Sequence, residues 1–287
     1  MMDTIQFFME HPDVFLFVTG LLSLFIGSFL NVVIYRLPQM MQQNWGEECR
    51  AYLGLKPHSE SDKLNLWLPL SHCPHCKKNI RPWHNIPIIS YLWLRGKCAY
   101  CHTPISIRYP FVEAITCLIS VYVASRFGVS FETLAALVFS WICICLMFID
   151  IDYHLLPDEL TLGLLWMGLF FSLFHFFTTS EAAIIGAIIG YLLFAITQWI
   201  FGIITGKVGL GQGDYKLLAA LGAFLGWKML PLIILLASLS GIIFALTHMT
   251  LKKDFKSTPL PFGPYLVMAG WIALLWGKEI MHYYWAI

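Results

Sequence analysis

Two acids stand where an apolar chain rarely carries charge. Asp150 follows the run ICLMFI, and Asp214 sits behind three glycines in VGLGQGDYK, residues 208–216. A carboxylate near hydrocarbon is costly, so it tends to be absent or functional. Two carboxylates brought close cannot both ionise cheaply, and they tend to share a proton. The ionised one takes a proton from water, and the protonated one donates to a carbonyl oxygen. Together they hydrolyse a peptide bond by direct attack of water, with no covalent acyl intermediate. Gly209, Gly211 and Gly213 lack a Cβ and let the backbone approach an extended substrate. A pair of acids at helix ends also suits a cation or transport site, and the residues alone leave both readings open.

A second constellation lies upstream, in HCPHC at 72–76 and CAYCH at 98–102. The pairs are Cys73/Cys76 and Cys98/Cys101, with 21 residues between the inner cysteines. Two such knuckles fit one tetrahedral ion held by four thiolates, zinc or another thiophilic metal. His72, His75, His84 and His102 are near enough in sequence to replace a cysteine. A closed four-sulfur site leaves no open position, so its role is structural. Disulfides or redox thiols are the competing reading, and a cytoplasmic location argues against stable disulfides.

The elements that must position these residues are membrane helices. The chain has 287 residues, 58% hydrophobic and only 12% charged, where a soluble domain carries roughly 25% charged residues. Apolar runs long enough to read as spans fall at about 14–34, 109–126, 132–149, 159–178, 182–204, 214–227, 229–250 and 264–284. The expected fold is an all-α polytopic membrane protein of about eight transmembrane helices. A small cytoplasmic zinc-binding insertion follows the first helix. The expected organisation is a first transmembrane helix at 1–36, a four-cysteine metal domain at 37–108, and a seven-helix membrane domain at 109–287. Without a basic start or a small-residue cleavage site, the first run reads as a retained helix rather than a signal peptide.

With the N-terminus outside, fifteen of the 18 Lys and Arg residues fall in inside segments, leaving Arg126, Lys228 and Lys278 outside. This positive-inside bias puts the cysteine loop, Asp150 and Asp214 together on the cytoplasmic side. Net charge is only +1, which points to no nucleic-acid partner. Asp158, after Pro157 and before an apolar run, reads as a helix N-cap. Glu113 pairs with Arg108 or contacts a substrate group. Arg36 reads as an interfacial anchor or topology signal.

The GQGD at 211–214 resembles the G-x-G-D signature of intramembrane aspartic proteases. GSFLNVVIYRLP at 27–38, the two C-x-x-C pairs, RYPFVE at 108–113, DIDYHLLPD at 150–158, GQGDYKLLAALGAFLGW at 211–227 and PFGPYL at 261–266 resemble the bacterial type IV prepilin peptidases, in that family's order. The resemblance implies a bifunctional enzyme of the bacterial inner membrane. Such an enzyme cuts the basic leader from type IV prepilins and type II secretion pseudopilins after a glycine, on the cytoplasmic face. It then methylates the new N-terminus with S-adenosylmethionine. The catalytic aspartates map onto Asp150 and Asp214, and the metal ligands onto Cys73, Cys76, Cys98 and Cys101. Gly211, Gly213, Pro157, Pro261, Gly263 and Glu113 are expected to support the active site. Relatives often place a histidine directly after the D-x-D, whereas here Tyr153 precedes His154. No motif in the sequence marks the S-adenosylmethionine site, which rests on the resemblance alone.

Overall fold

The computed structural model describes residues 2–56, 64–207, 209–252 and 261–285. Among these the regular structure is helical, apart from two isolated antiparallel bridges. The chain forms two compact units, Met1–Thr133 and Leu134–Ile287.

The first unit opens with a short helix, α1 (Met2–Glu10), then α2 (Pro12–Tyr52). Pro12 occupies the first turn of α2, where its missing N–H leaves nothing unsatisfied. Helix α2 carries through the expected boundary at residue 36 with Pro38 inside it, and ends only at Tyr52. Hydropathy marks where lipid ends, not where backbone hydrogen bonding ends, and QMMQQNWGEECRAY is mostly helix-compatible. The cysteine loop follows and contains α3 (Ile89–Trp93); α4 (Arg108–Phe127) completes the unit. Helices α2 and α4 touch through small residues. A Cβ on Gly27 would lie 2.8 Å from Glu113 Cα, and one on Gly20 would lie 3.0 Å from Val121 Cγ2.

The second unit takes in α5 (Phe131–Tyr153) from Leu134 onward, then α6 (Asp158–Ser172), α7 (Ser180–Thr205), α8 (Gln212–Leu225), α9 (Leu230–Lys252) and α10 (Gly263–Trp285). Its centre is α8, buried from Asp214 to Leu225 except at Lys216. Glycines on the surrounding helices let their backbones reach it. A Cβ on Gly168 of α6 would meet Phe224 N at 2.8 Å, and one on Gly190 of α7 would meet Leu218 O at 2.7 Å. The Phe224 ring packs at its far end against Phe139, Phe171 and Phe177, with centroids 4.7, 6.0 and 5.1 Å away.

Each of the eight apolar runs is occupied by a helix. Among the described residues, five helices are long and apolar enough to cross a membrane by themselves: Pro12–Tyr52, Arg108–Phe127, Phe131–Tyr153, Ser180–Thr205 and Trp227–His248. Helices α6 and α8 have 15 and 14 residues. At 1.5 Å per residue they reach only about 22 and 21 Å, short of a hydrocarbon core of about 30 Å. The run 159–178 leaves the helix at Ser172, where Ser180 Oγ donates to Ser172 O at 3.1 Å. Helix α10 is long enough, but its Gly, Tyr and Trp residues and the Lys278–Glu279 pair make it less apolar.

Candidate active site and metal centre

Asp150 lies one turn before the end of α5 and is 5% exposed. Its Oδ2 accepts the N–H of Gly263, the first residue of α10, at 3.0 Å. The first N–H groups of a helix have no intrahelical partner and favour an anion. Glycine is what admits the carboxylate, since a Cβ at 263 would stand 2.5 Å from Asp150 Oδ2 and 3.2 Å from Leu156 Cδ2.

Asp214 is in the first turn of α8, 7% exposed. Its Oδ2 accepts the Gly211 N–H at 3.2 Å, and its own N–H donates to Gly211 O at 3.1 Å. The acid therefore also closes the helix start, as a capping carboxylate does. Both acids belong to the second unit. Leu156 packs against a glycine beside each acid: a Cβ at Gly213, next to Asp214, would meet Leu156 Cβ at 2.7 Å, as one at Gly263, which holds Asp150, would meet Cδ2. DIDYHLLPD thus ends one helix, turns at His154 (φ 52) with its N–H on Asp150 O at 2.9 Å, and starts the next behind Pro157.

Two further devices hold the glycine loop, and neither was read from the sequence. Gln198 of α7 turns one carbonyl oxygen to the N–H groups of both Gly209 and Leu210, each at 2.8 Å. Lys216 of α8 grips both oxygens of Asp158 at 2.6 and 2.7 Å, joining the starts of α6 and α8. This corrects the capping role expected of Asp158. Pro157 holds the cap position, and Asp158, the first helical residue, turns its side chain outward to Lys216. Pro261 is half-buried just before α10.

The metal centre and Glu113 belong to the first unit. The sulfurs of Cys73, Cys76, Cys98 and Cys101 lie within 4.8 Å of one another. A tetrahedron with 2.3 Å zinc–sulfur bonds has sulfurs about 3.8 Å apart, and Cys73 and Cys101 Sγ are 3.7 Å apart. The knuckles repeat one geometry. Lys77 (φ 58) donates its N–H to Cys73 O, and His102 (φ 57) donates to Cys98 O, at 2.9 and 3.0 Å. In return Cys73 N–H donates to Lys78 O and Cys98 N–H to Thr103 O. The Thr103 hydroxyl, then its backbone, hold the Cys101 thiol down to about 5, favouring the thiolate that binds metal. None of the four histidines belongs to the cluster. The donor set fits a four-thiolate ion. Cys73→Ser is expected to lower metal content in elemental analysis of the purified protein and to open residues 64–108 to protease; unchanged metal content would contradict this.

Glu113 is 8% exposed, and its Oε2 accepts the Ile88 N–H at 2.8 Å while Ser28 bonds its carboxylate from α2. Standing on α4, it ties the cysteine loop to α2. Arg36, 7% exposed, donates to Asn65 O, Leu66 O and Pro69 O at 2.9, 3.3 and 2.6 Å, and so positions the start of the loop against α2.

Comparison with known proteins covers both units. The family model described as Type IV leader peptidase family matches residues 137–246. The one described as Bacterial Peptidase A24 N-terminal domain matches residues 21–127. A protein of Pseudomonas aeruginosa named prepilin leader peptidase/N-methyltransferase is 49% identical over 283 residues, covering 99% of this chain and 98% of its own. Proteins of the same name from Aeromonas hydrophila and Legionella pneumophila are 49% and 44% identical, covering 95% and 96% of this chain and 94% and 96% of their own. No solved structure matches.

Proposed function

The chain belongs to the type IV leader peptidase family, and on that premise we propose that it removes the leader of prepilins and pseudopilins with Asp150 and Asp214. The observation that supports this reading is a pair of buried carboxylates, each with one oxygen held by a glycine N–H, whose neighbouring glycines, Gly263 and Gly213, both pack against Leu156. The ionised acid takes a proton from the attacking water, and the protonated acid donates to the scissile carbonyl oxygen. The resulting tetrahedral centre breaks its C–N bond as a proton passes to the leaving nitrogen. Leader acid and pilin amine are the products, and the dyad returns with one proton.

The second activity follows the first. S-adenosylmethionine, when bound, supplies the methyl group that ends on the new amino nitrogen. The relatives' printed name supports this step. The basic-residue distribution supports a bacterial inner-membrane protein with a periplasmic N-terminus and with the cysteine loop and both acids cytoplasmic. Zinc on the four thiolates supplies folding energy to a loop with little core of its own. Glu159 is exposed near Asp150 in sequence and suits a basic leader, whereas Asp158 is already neutralised by Lys216.

The test incubates purified protein with a leader-bearing pilin, with and without S-adenosylmethionine, and weighs the product. Loss of the leader alone without the donor, and leader loss plus one methyl with it, is expected. An unaltered pilin under both conditions would defeat the proposal. Gln198→Leu, which takes the acceptor from two loop N–H groups, is expected to lower kcat by roughly ten- to a hundredfold with KM little changed. Gln198→Glu, which keeps an acceptor oxygen, recovers most of it. Equal kcat for the Leu variant and the native protein would show that the strap does not position Asp214.

A further inference from the structure

Residues 64–70, LNLWLPL, carry no charge, and Trp67, Leu68 and Leu70 are 76, 59 and 62% exposed. Contiguous apolar surface of this kind is not left in water without reason. Its position supplies the reason. The Trp67 ring centroid is 6.2 Å from that of Phe29, which lies on the apolar stretch of α2 and is itself 39% exposed. Arg36, which binds the carbonyls of this segment, is seven residues further along α2, about 10 Å at helical rise. The segment therefore lies back along α2, from the level of Arg36 toward the part of the helix that meets lipid.

Irregular backbone survives at that depth only if its polar groups are satisfied. Here Asn65 Oδ1 accepts the N–H groups of Trp67 and Leu68, and Asn65 N–H donates to Leu68 O at 3.0 Å. Arg36 takes the carbonyls of Asn65, Leu66 and Pro69. The rest of the loop fits the same partner by charge. From Asn65 to Val112 there is no acid, while Lys77, Lys78, Arg81, Arg95, Lys97 and Arg108 are basic. Such a surface repels a basic leader and suits anionic headgroups.

We propose that residues 64–70 insert into the headgroup–acyl boundary of the bilayer as an interfacial anchor, holding the basic cysteine lobe against anionic lipid. The occupant of the apolar surface is lipid, not a second protein.

The test places a benzophenone amino acid at position 68 of the full-length protein in vesicles of phosphatidylethanolamine and phosphatidylglycerol. Phe17, on the apolar stretch of α2 and 71% exposed, is the lipid control position. Arg50, exposed in the last turn of α2, is the water control. After irradiation, mass spectrometry is expected to find at least about tenfold more lipid adduct at 68 than at 50, approaching the yield at 17. Retained metal content shows that the probe variant is folded. Replacing phosphatidylglycerol with phosphatidylcholine is expected to lower the yield at 68 about twofold or more. A yield at 68 no higher than at 50, adducts mainly to protein, or no dependence on anionic lipid would each overturn the proposal.

Discussion

Asparagine in place of Asp150 or of Asp214 is expected to slow leader cleavage by at least about a thousandfold while the protein still accumulates in the membrane. The reasoning separates two duties of the same atoms. Each carboxylate has a structural hydrogen bond, from Gly263 N–H to Asp150 and from Gly211 N–H to Asp214. A carboxamide oxygen accepts the same N–H, so the start of α10 and the first turn of α8 survive the substitution. The carboxamide cannot take a proton from water or pass one on at any working pH, so the chemistry does not survive. The two acids act as one device on one water, which makes their losses non-additive. The double variant is therefore expected to be little worse than either single one. Cleavage of a synthetic leader peptide, followed by mass, measures all three. Methylation of a pilin already cut is expected to continue in each. Normal processing by either single variant would remove the dyad from the mechanism.

What could be read from the sequence, and what could not, follows from how each residue makes its contacts. Asp150 and Asp214 were legible because charge at the end of an apolar run is rare, and the cysteines because four thiols at knuckle spacing have few other uses. Gln198 gave no such signal. Its partners are the backbone N–H groups of Gly209 and Leu210, and a peptide N–H leaves no mark on residue identity. Leu156, packed against both Gly213 and Gly263, is one leucine among many, visible only once those glycines are seen to lack a Cβ against it. The Lys216–Asp158 pair joins residues 58 apart, and an acid beside a proline reads first as a local cap. Helix α2 outran its apolar stretch because residues 37–52 favour helix without favouring lipid. In each case the missing information is tertiary, carried by backbone or by ordinary apolar side chains.

The second large effect lies in GAIIG at 186–190, two small residues one turn apart on α7. Gly190→Ala is expected to destabilise the protein by roughly 3 kcal/mol, read as a lowered unfolding temperature in detergent. The added Cβ would stand 2.7 Å from Leu218 O, 2.9 Å from Leu218 C and 3.1 Å from Ala219 Cα, all backbone of α8. No side-chain rotation relieves such a clash, so α7 and α8 must separate. At Gly186 the nearest atoms are again backbone, the carbonyl of Gly222, so Gly186→Ala is expected to be at least as severe. Because α8 carries Asp214, cleavage falls along with stability, whereas Asp214→Asn loses cleavage with stability kept. Gly163→Ala on α6 is the control. A Cβ there meets nothing within 4 Å, and exchanging helical glycine for alanine is expected to gain up to about 1 kcal/mol. Unfolding temperatures for Gly190→Ala and Gly163→Ala that coincide would show that close approach of backbones does not hold the catalytic helix in place.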